Sequence, residues 1–300
     1  MTIWQAILAG LGAAWRSKAV VSLFFICNLL LAAAVAAPMH SAIADHLGHG
    51  MTANELARGF SASWLTEFQL SYSGFLKSFS IAIVYGGILF LMLNAVLSAG
   101  AFEVFARADL VEPGGDGPPQ ELRWSMHAFG RGIGRLWGCS LRLAAIASVF
   151  YYVVFWLWAG RAAQFNRWLF RNSLREAPHF HLEWLRWVLL FFCCFVVSAI
   201  VDYTRAALVA HPGRSTLAAI GDAAGFVAGR LARVMAIYLG LGLLAALAVV
   251  AYAAFARFFP QSTVITVFVW FVVAQILLWV RWFLRLSSWA AAVAYYENRS

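Results

Sequence analysis

Apolar residues run along this chain in long blocks, not in the alternating or one-faced patterns of soluble strands and helices. The blocks extend from Ala19 to Ala37, Phe79 to Ala101, Ser140 to Gly160, Leu185 to Ala207, Arg233 to Phe255 and Thr263 to Leu284. A run of about 20 apolar residues matches the hydrocarbon thickness of a bilayer when it coils as an α-helix. Helix is required there, because oil offers no hydrogen-bond partner to an exposed peptide group. The pattern predicts an all-α polytopic membrane bundle of about six transmembrane helices, forming a single integral membrane domain over 1–300. The last block stays apolar to Tyr296, so its helix is expected to tilt or to run beyond the hydrocarbon. Little more than Phe259, Pro260, Gln261 and Ser262 joins the last two spans, which predicts a tight hairpin with proline stopping the first helix.

The segments that lead into the odd-numbered blocks share a pattern. Ala6, Gly10, Ala14 and Lys18 follow at four-residue steps before the first; Gly130, Gly134, Gly138 and Arg142 do so before the third; Gly221, Gly225, Gly229 and Arg233 before the fifth. Four-residue steps keep side chains on nearly one helix face, so each copy presents a smooth strip that ends in a cation at the membrane boundary. Such strips let helices pack closely, and Gly10, Gly130, Gly134, Gly138, Gly221, Gly225 and Gly229 are the expected packing positions. The even-numbered blocks carry a matching mark near their far ends, in Leu97-Ser98, Val197-Ser198 and Leu286-Ser287. The two marks together predict three pseudo-repeated helical hairpins, each preceded by an amphipathic interfacial helix, over 1–110, 121–210 and 214–300.

Composition agrees with the blocks: 63% of residues are apolar and 12% charged. A soluble domain has roughly half and a quarter. The formal net charge of +9 does not point to nucleic acid, because the arginines sit beside apolar blocks and not in a solvated stripe. Anionic phospholipid headgroups are the expected partner. With the N-terminus inside, the inner segments hold Arg16, Lys18, Arg107, Arg123, Arg131, Arg135, Arg205, Arg214, Arg230, Arg233 and Arg299. The first outer loop holds Arg58 and Lys77, and the last hairpin holds Arg257. The positive-inside rule then places both termini in the cytoplasm, against the weight of one arginine-rich outer loop after the third block. Arg16 and Lys18 before an apolar run resemble the start of a signal peptide, but Pro38 fits poorly beyond a cleavage site, and this run is expected to remain as a span.

Candidate chemistry is sparse. Cys27, Cys139, Cys193 and Cys194 read as small apolar fillers in or beside the blocks, not as a disulfide framework. His40, Asp45, His46 and His49 fall together in the first outer loop without the spacing of a zinc site, so no metal and no cofactor are expected. Gly130, Gly132 and Gly134 are not followed by Lys-Ser or Lys-Thr, and no Gly-x-Ser-x-Gly elbow occurs. No catalytic residue is assigned and the chain is read as not an enzyme. Ionisable and polar groups near the hydrocarbon are the better candidates, because a charge at its centre costs about 2.5–3.5 kcal/mol. Arg281, Asp202, Asn94 and Glu103 are the expected substrate or ion path, with Arg281 deepest in its block. Asp202 with Arg205, and Glu103 with Arg107, have the spacing of local ion pairs. Arg167, Arg171 and Arg175, four apart beside Phe165 and Trp168, predict an interfacial helix facing lipid headgroups, as do Arg131 and Arg135 before the third block. The segment Glu112 to Gln120, rich in proline and glycine, predicts a flexible inner linker.

Three two-span units are also the plan of mitochondrial carriers, but the Pro-x-Asp/Glu-x-x-Lys/Arg pattern of their odd helices is missing here. Amphipathic entry segments, glycine and alanine strips, and arginine after the even blocks, in Phe105-Ala106-Arg107 and Tyr203-Thr204-Arg205, look more like uncharacterised six-helix integral membrane proteins of bacteria. Those are similar to the membrane domain attached to some glycerophosphodiester phosphodiesterases. The resemblance covers nearly the whole chain and implies a multi-pass protein of the bacterial inner membrane; the phosphodiesterase domain itself is absent. The expected function is a non-enzymatic scaffold or accessory subunit that contacts anionic lipids or a membrane protein partner. The alternative is a small transporter or lipid-handling permease with a cavity between the three hairpins.

Overall fold

The computed structural model describes residues 1–48, 62–108, 126–162, 164, 176–211, 213–258 and 263–298. These form an all-α membrane bundle, with no strand among the described residues. In chain order the helices are α1 (Ile3–Arg16), α2 (Lys18–Gly48), α3 (Ala62–Ser71), α4 (Ser73–Ala108), α5 (Met126–Phe155), α6 (Glu176–Ala210), α7 (Thr216–Gly229), α8 (Leu231–Phe258) and α9 (Val264–Glu297). A π-helical stretch, Trp156–Ala162, continues α5. Six helices, α2, α4, α5, α6, α8 and α9, are long and apolar enough to cross a membrane, as the blocks predict. Their mid-sections turn large apolar side chains outward, among them Ile81, Val84 and Leu89 on α4, Leu243 and Val250 on α8, and Phe268 and Phe271 on α9. Bands of that size facing water would be an aggregation hazard, whereas facing lipid they need no compensation.

The chain divides into two compact units, Leu23–Asn94 and Met1–Ser22 with Ala95–Ser300. In the first, Asn28 and Asn94 exchange hydrogen bonds through their amides, at 2.8 and 3.2 Å, and each also donates to the carbonyl one turn before it on its own helix. Val35 packs where a side chain on Gly86 would stand, so α2 and α4 touch closely there. α2 runs on through Pro38 to Gly48, making His40, Asp45 and His46 helical and not residues of a loop. Ala42 on that extension forms a small core with Trp64 and Phe68 of α3. His46 lies against the rings of Trp64, Phe68 and Tyr72.

In the second unit, burial concentrates where the even-numbered spans end and the odd-numbered spans begin. Phe102 and Phe105 on α4, Leu143 on α5, Tyr203 on α6, Ile237 on α8 and Leu286 on α9 are all sealed from solvent. The short helices α1 and α7 complete this layer. α1 begins with a capping box between Thr2 and Gln5, which satisfies two of the amides a helix start leaves free. It lies antiparallel to the second half of α9, with Trp15 against Phe283 and the N-terminal amine bonded to Asn298. Gly10 makes this possible: a Cβ there would strike the carbonyl of Ser287 and stand 2.8 Å from Ala291 Cβ. α7 starts after a turn at Gly213, whose φ of 93° suits glycine, and is capped by Ser215.

The three small-residue strips are not equivalent. In α1, Ala6, Gly10 and Ala14 are buried, as expected for a packing face. Gly130, Gly134, Gly138, Gly221, Gly225 and Gly229 instead have open space where a Cβ would stand, among the described residues. α5 uses the neighbouring face, where Gly132 would bring a Cβ to 2.6 Å from Glu103 Cβ, and α7 buries Ala219, Ala223, Phe226 and Val227. Small size marks a face that can be approached; the larger apolar residues on the other face decide which side turns inward. The expected linker Glu112 to Gln120 and the turn Phe259 to Ser262 lie outside the described residues.

Candidate functional site

Two carboxylates are buried within the packed layer, and each gathers two guanidinium groups. Asp202 on α6 has no exposed surface. Arg285 of α9 reaches both of its oxygens, at 3.2 and 3.1 Å, Arg205 approaches from the same helix at 3.3 Å, and the Tyr238 hydroxyl of α8 donates at 2.9 Å. Arg285 also donates to Ser198 Oγ at 3.4 Å. Both guanidiniums lie over the Trp289 ring, at 5.6 Å for Arg205 and 5.3 Å for Arg285. Three spanning helices are thereby joined through one carboxylate, in a setting where an unpaired charge would be costly.

Glu103 on α4 forms the second node. Arg107, one turn on, donates to one oxygen at 2.9 and 3.1 Å, and Arg135 of α5 reaches the other at 2.5 Å. Sequence spacing foretells the local half of each node. Arg135, Arg285 and Tyr238 arrive from other helices, which spacing along one helix cannot reveal.

Beside the Glu103 node a groove of about 760 Å³ opens between α5, the end of α6 and the start of α7. Arg135, Arg142 and Arg214 line it together with the capped start of α7 at Ser215, Thr216 and Leu217. Ala145, Ile146 and Leu208 give it an apolar wall. Arg214 is paired with Asp222 at 2.6 Å, while Arg142 has no ion pair or hydrogen bond among the described residues.

Comparison with family models, curated proteins and solved structures finds no match to this chain.

The residues expected to form one path have different partners and exposures. Arg281 lies on an exposed face of α9; the arginine that enters the interior is Arg285, one turn further, because the carboxylate it meets stands at that level. Asn94 is occupied by Asn28 in the first unit, whereas Asp202 and Glu103 belong to the second. Arg131 is exposed on α5, and Arg167, Arg171 and Arg175 lie outside the described residues, as does His49. No group of three metal-ligating side chains occurs among the described residues. Asp45 accepts from the Tyr72 hydroxyl at 2.9 Å, and that hydrogen bond, with a smaller share from desolvation and the nearby charge, raises the phenol above its usual range. Tyr72 therefore keeps its proton, and the bond, through the physiological range.

Proposed function

We propose that the protein is a non-enzymatic scaffold or accessory subunit of a bacterial inner membrane, with both termini cytoplasmic, that engages anionic phospholipids or a membrane protein partner at its packed layer. The observation that carries this reading is the closure of Asp202 by Arg205, Arg285 and Tyr238. A carboxylate held by three partners braces helices and is poorly suited to releasing a proton or ion at each cycle of transport. The competing permease reading needs Arg281, Asn94, Asp202 and Glu103 along one route, and the exposure of Arg281 and the pairing of Asn94 with Asn28 weigh against it. Internal triplication belongs to the same proposal. It is supported in two of the three hairpins by a carboxylate and a following arginine near the ends of α4 and α6, in Glu103 with Arg107 and Asp202 with Arg205.

The test is extraction of the full chain with its surrounding lipid in polymer-bounded native particles, followed by lipid analysis and protein identification. Enrichment of anionic over zwitterionic lipid, or a companion protein at fixed stoichiometry, is expected. A chain that emerges alone with the bulk lipid composition, or that drives solute uptake in proteoliposomes, overturns the reading. Cysteine labelling at both ends tests the orientation, and labelling of the two ends from opposite sides overturns it.

A further inference from the structure

We propose that the groove between α5, α6 and α7 binds a phosphate group esterified to a membrane lipid, held by Arg142 and Arg214, with one acyl chain along Ile146 and Leu208. This rests on the lipid-contacting reading above and gives it a site and a headgroup chemistry.

Charge is the first argument. Around the groove, among the described residues, the guanidiniums of Arg107, Arg135, Arg142 and Arg214 face the carboxylates of Glu103 and Asp222. Four cations against two anions leave an excess that an anionic ligand can neutralise. Arg142 contributes most directly, because its exposed guanidinium has no partner among the described residues. Its donors are free to meet an acceptor at the groove, and the planar fork of arginine matches phosphate oxygens.

The start of α7 adds to the arginines. Ser215 satisfies the amide of Ala218 with its hydroxyl and that of Ala219 with its carbonyl. The amides of Thr216 and Leu217 have no acceptor among the described residues, and the first turn holds no acidic side chain to compete. Amides at a helix start favour an anion.

Shape separates a lipid from a free ion. From Arg135 to Ile146 the groove follows α5 for about 16 Å, at 1.5 Å per residue. The volume of about 760 Å³ is many times what inorganic phosphate would occupy, and the apolar wall offers that ion nothing. A phosphate head with a chain attached uses both ends.

The experiment is native mass spectrometry of the full-length protein in detergent, titrated with phosphatidylglycerol or phosphatidylcholine, and separately with phosphatidylglycerol in the presence of sodium phosphate. Wild-type protein is expected to retain phosphatidylglycerol in preference to phosphatidylcholine. Arg142→Gln and Arg214→Gln should each weaken that retention about tenfold, the size expected for loss of a charge-assisted contact. Arg281→Gln, a charge removed from an exposed face outside the groove, should retain lipid as the wild type does. Ile146→Trp obstructs the apolar wall without changing charge and should weaken lipid retention too, so the proposal does not depend on the folding of an arginine variant. Displacement of the lipid by millimolar phosphate, with no effect of Ile146→Trp, would assign the arginines to a free anion and overturn the lipid assignment. Equal retention by all four variants and the wild type overturns the groove while leaving general anionic-lipid contact standing. Absence of any preference for phosphatidylglycerol in the wild type overturns both.

Discussion

The Asp202 and Glu103 nodes contain the same charges, one carboxylate and two guanidiniums, yet they differ in access to water. At Asp202 the arginine on the same helix is 13% exposed, Arg285 from α9 is 36% exposed, and the tyrosine that completes the shell is buried. At Glu103 the two arginines are 42% and 36% exposed, and no hydroxyl joins them among the described residues. Coulomb attraction strengthens as solvent is removed, but so does the penalty for losing a partner. The comparison teaches that position within the layer, and not the count of charges, decides whether a node acts as a brace or as a partly free basic surface. The second of these borders the groove.

The strongest way to break this contrast is Asp202→Asn, which leaves Arg205 and Arg285 without their anion. Removing one partner of a buried pair costs about 3–5 kcal/mol. A loss of that order should appear in the reversible unfolding of the detergent-solubilised protein. A change below about 1 kcal/mol would mean that the arginines readily find water or lipid, and the two nodes would then be alike in kind.

A second variant sharpens the contrast from a distance. α9 delivers Arg285 to Asp202, and α1 holds α9 through Gly10, which abuts Ser287 and Ala291. Gly10→Leu forces the two helices apart, and overpacking of this kind costs about 1–3 kcal/mol. Disulfide trapping or distance measurements by paired spin labels should show α9 displaced from α6, with the Arg135 to Glu103 contact between α5 and α4 retained. Equal disturbance at both nodes would show that the layer moves as one body.

What the sequence discloses and what it hides follow from the same geometry. Long apolar blocks report spans because the bilayer imposes a minimum length; four blocks lie within their helices, the third runs on into the π-helical stretch after α5, and the sixth begins at Thr263, the cap of α9. The extension of α2 through Pro38 was hidden because proline usually ends a helix. Here the stretch beyond it packs on α3, and Ser41 bonds back to the Pro38 carbonyl. The i,i+3 and i,i+4 pairs of each node are legible because a single helix fixes them. Depth in the block points to Arg281 and not to Arg285, since nothing in the spacing of α9 tells which turn stands level with a carboxylate on α6. Arg142 carried a signal: it ends the second glycine strip in the place that Lys18 and Arg233 hold in the others. Its association with Arg214, on a segment far along the chain, needed the fold.

The smallest expected effect is the most discriminating. Glu103→Gln keeps a side chain of the same shape and leaves an amide oxygen able to accept from Arg107 or Arg135, while removing the charge. Because both arginines can reach solvent or headgroups, the loss should be about 1 kcal/mol or less, as for partly exposed pairs. It should also shrink as salt is raised, since screening weakens the wild-type pair and not the neutral variant. At the groove the sign reverses. Arg135 lines the groove and is neutralised in part by Glu103, so the variant should bind phosphatidylglycerol more tightly, by a few-fold, in native mass spectrometry. Asp202→Asn, whose arginines do not line the groove, should give no such gain. Tighter lipid binding with little loss of stability at Glu103, set against a large loss of stability with no gain in binding at Asp202, is the pair of outcomes that separates a basic surface from a brace.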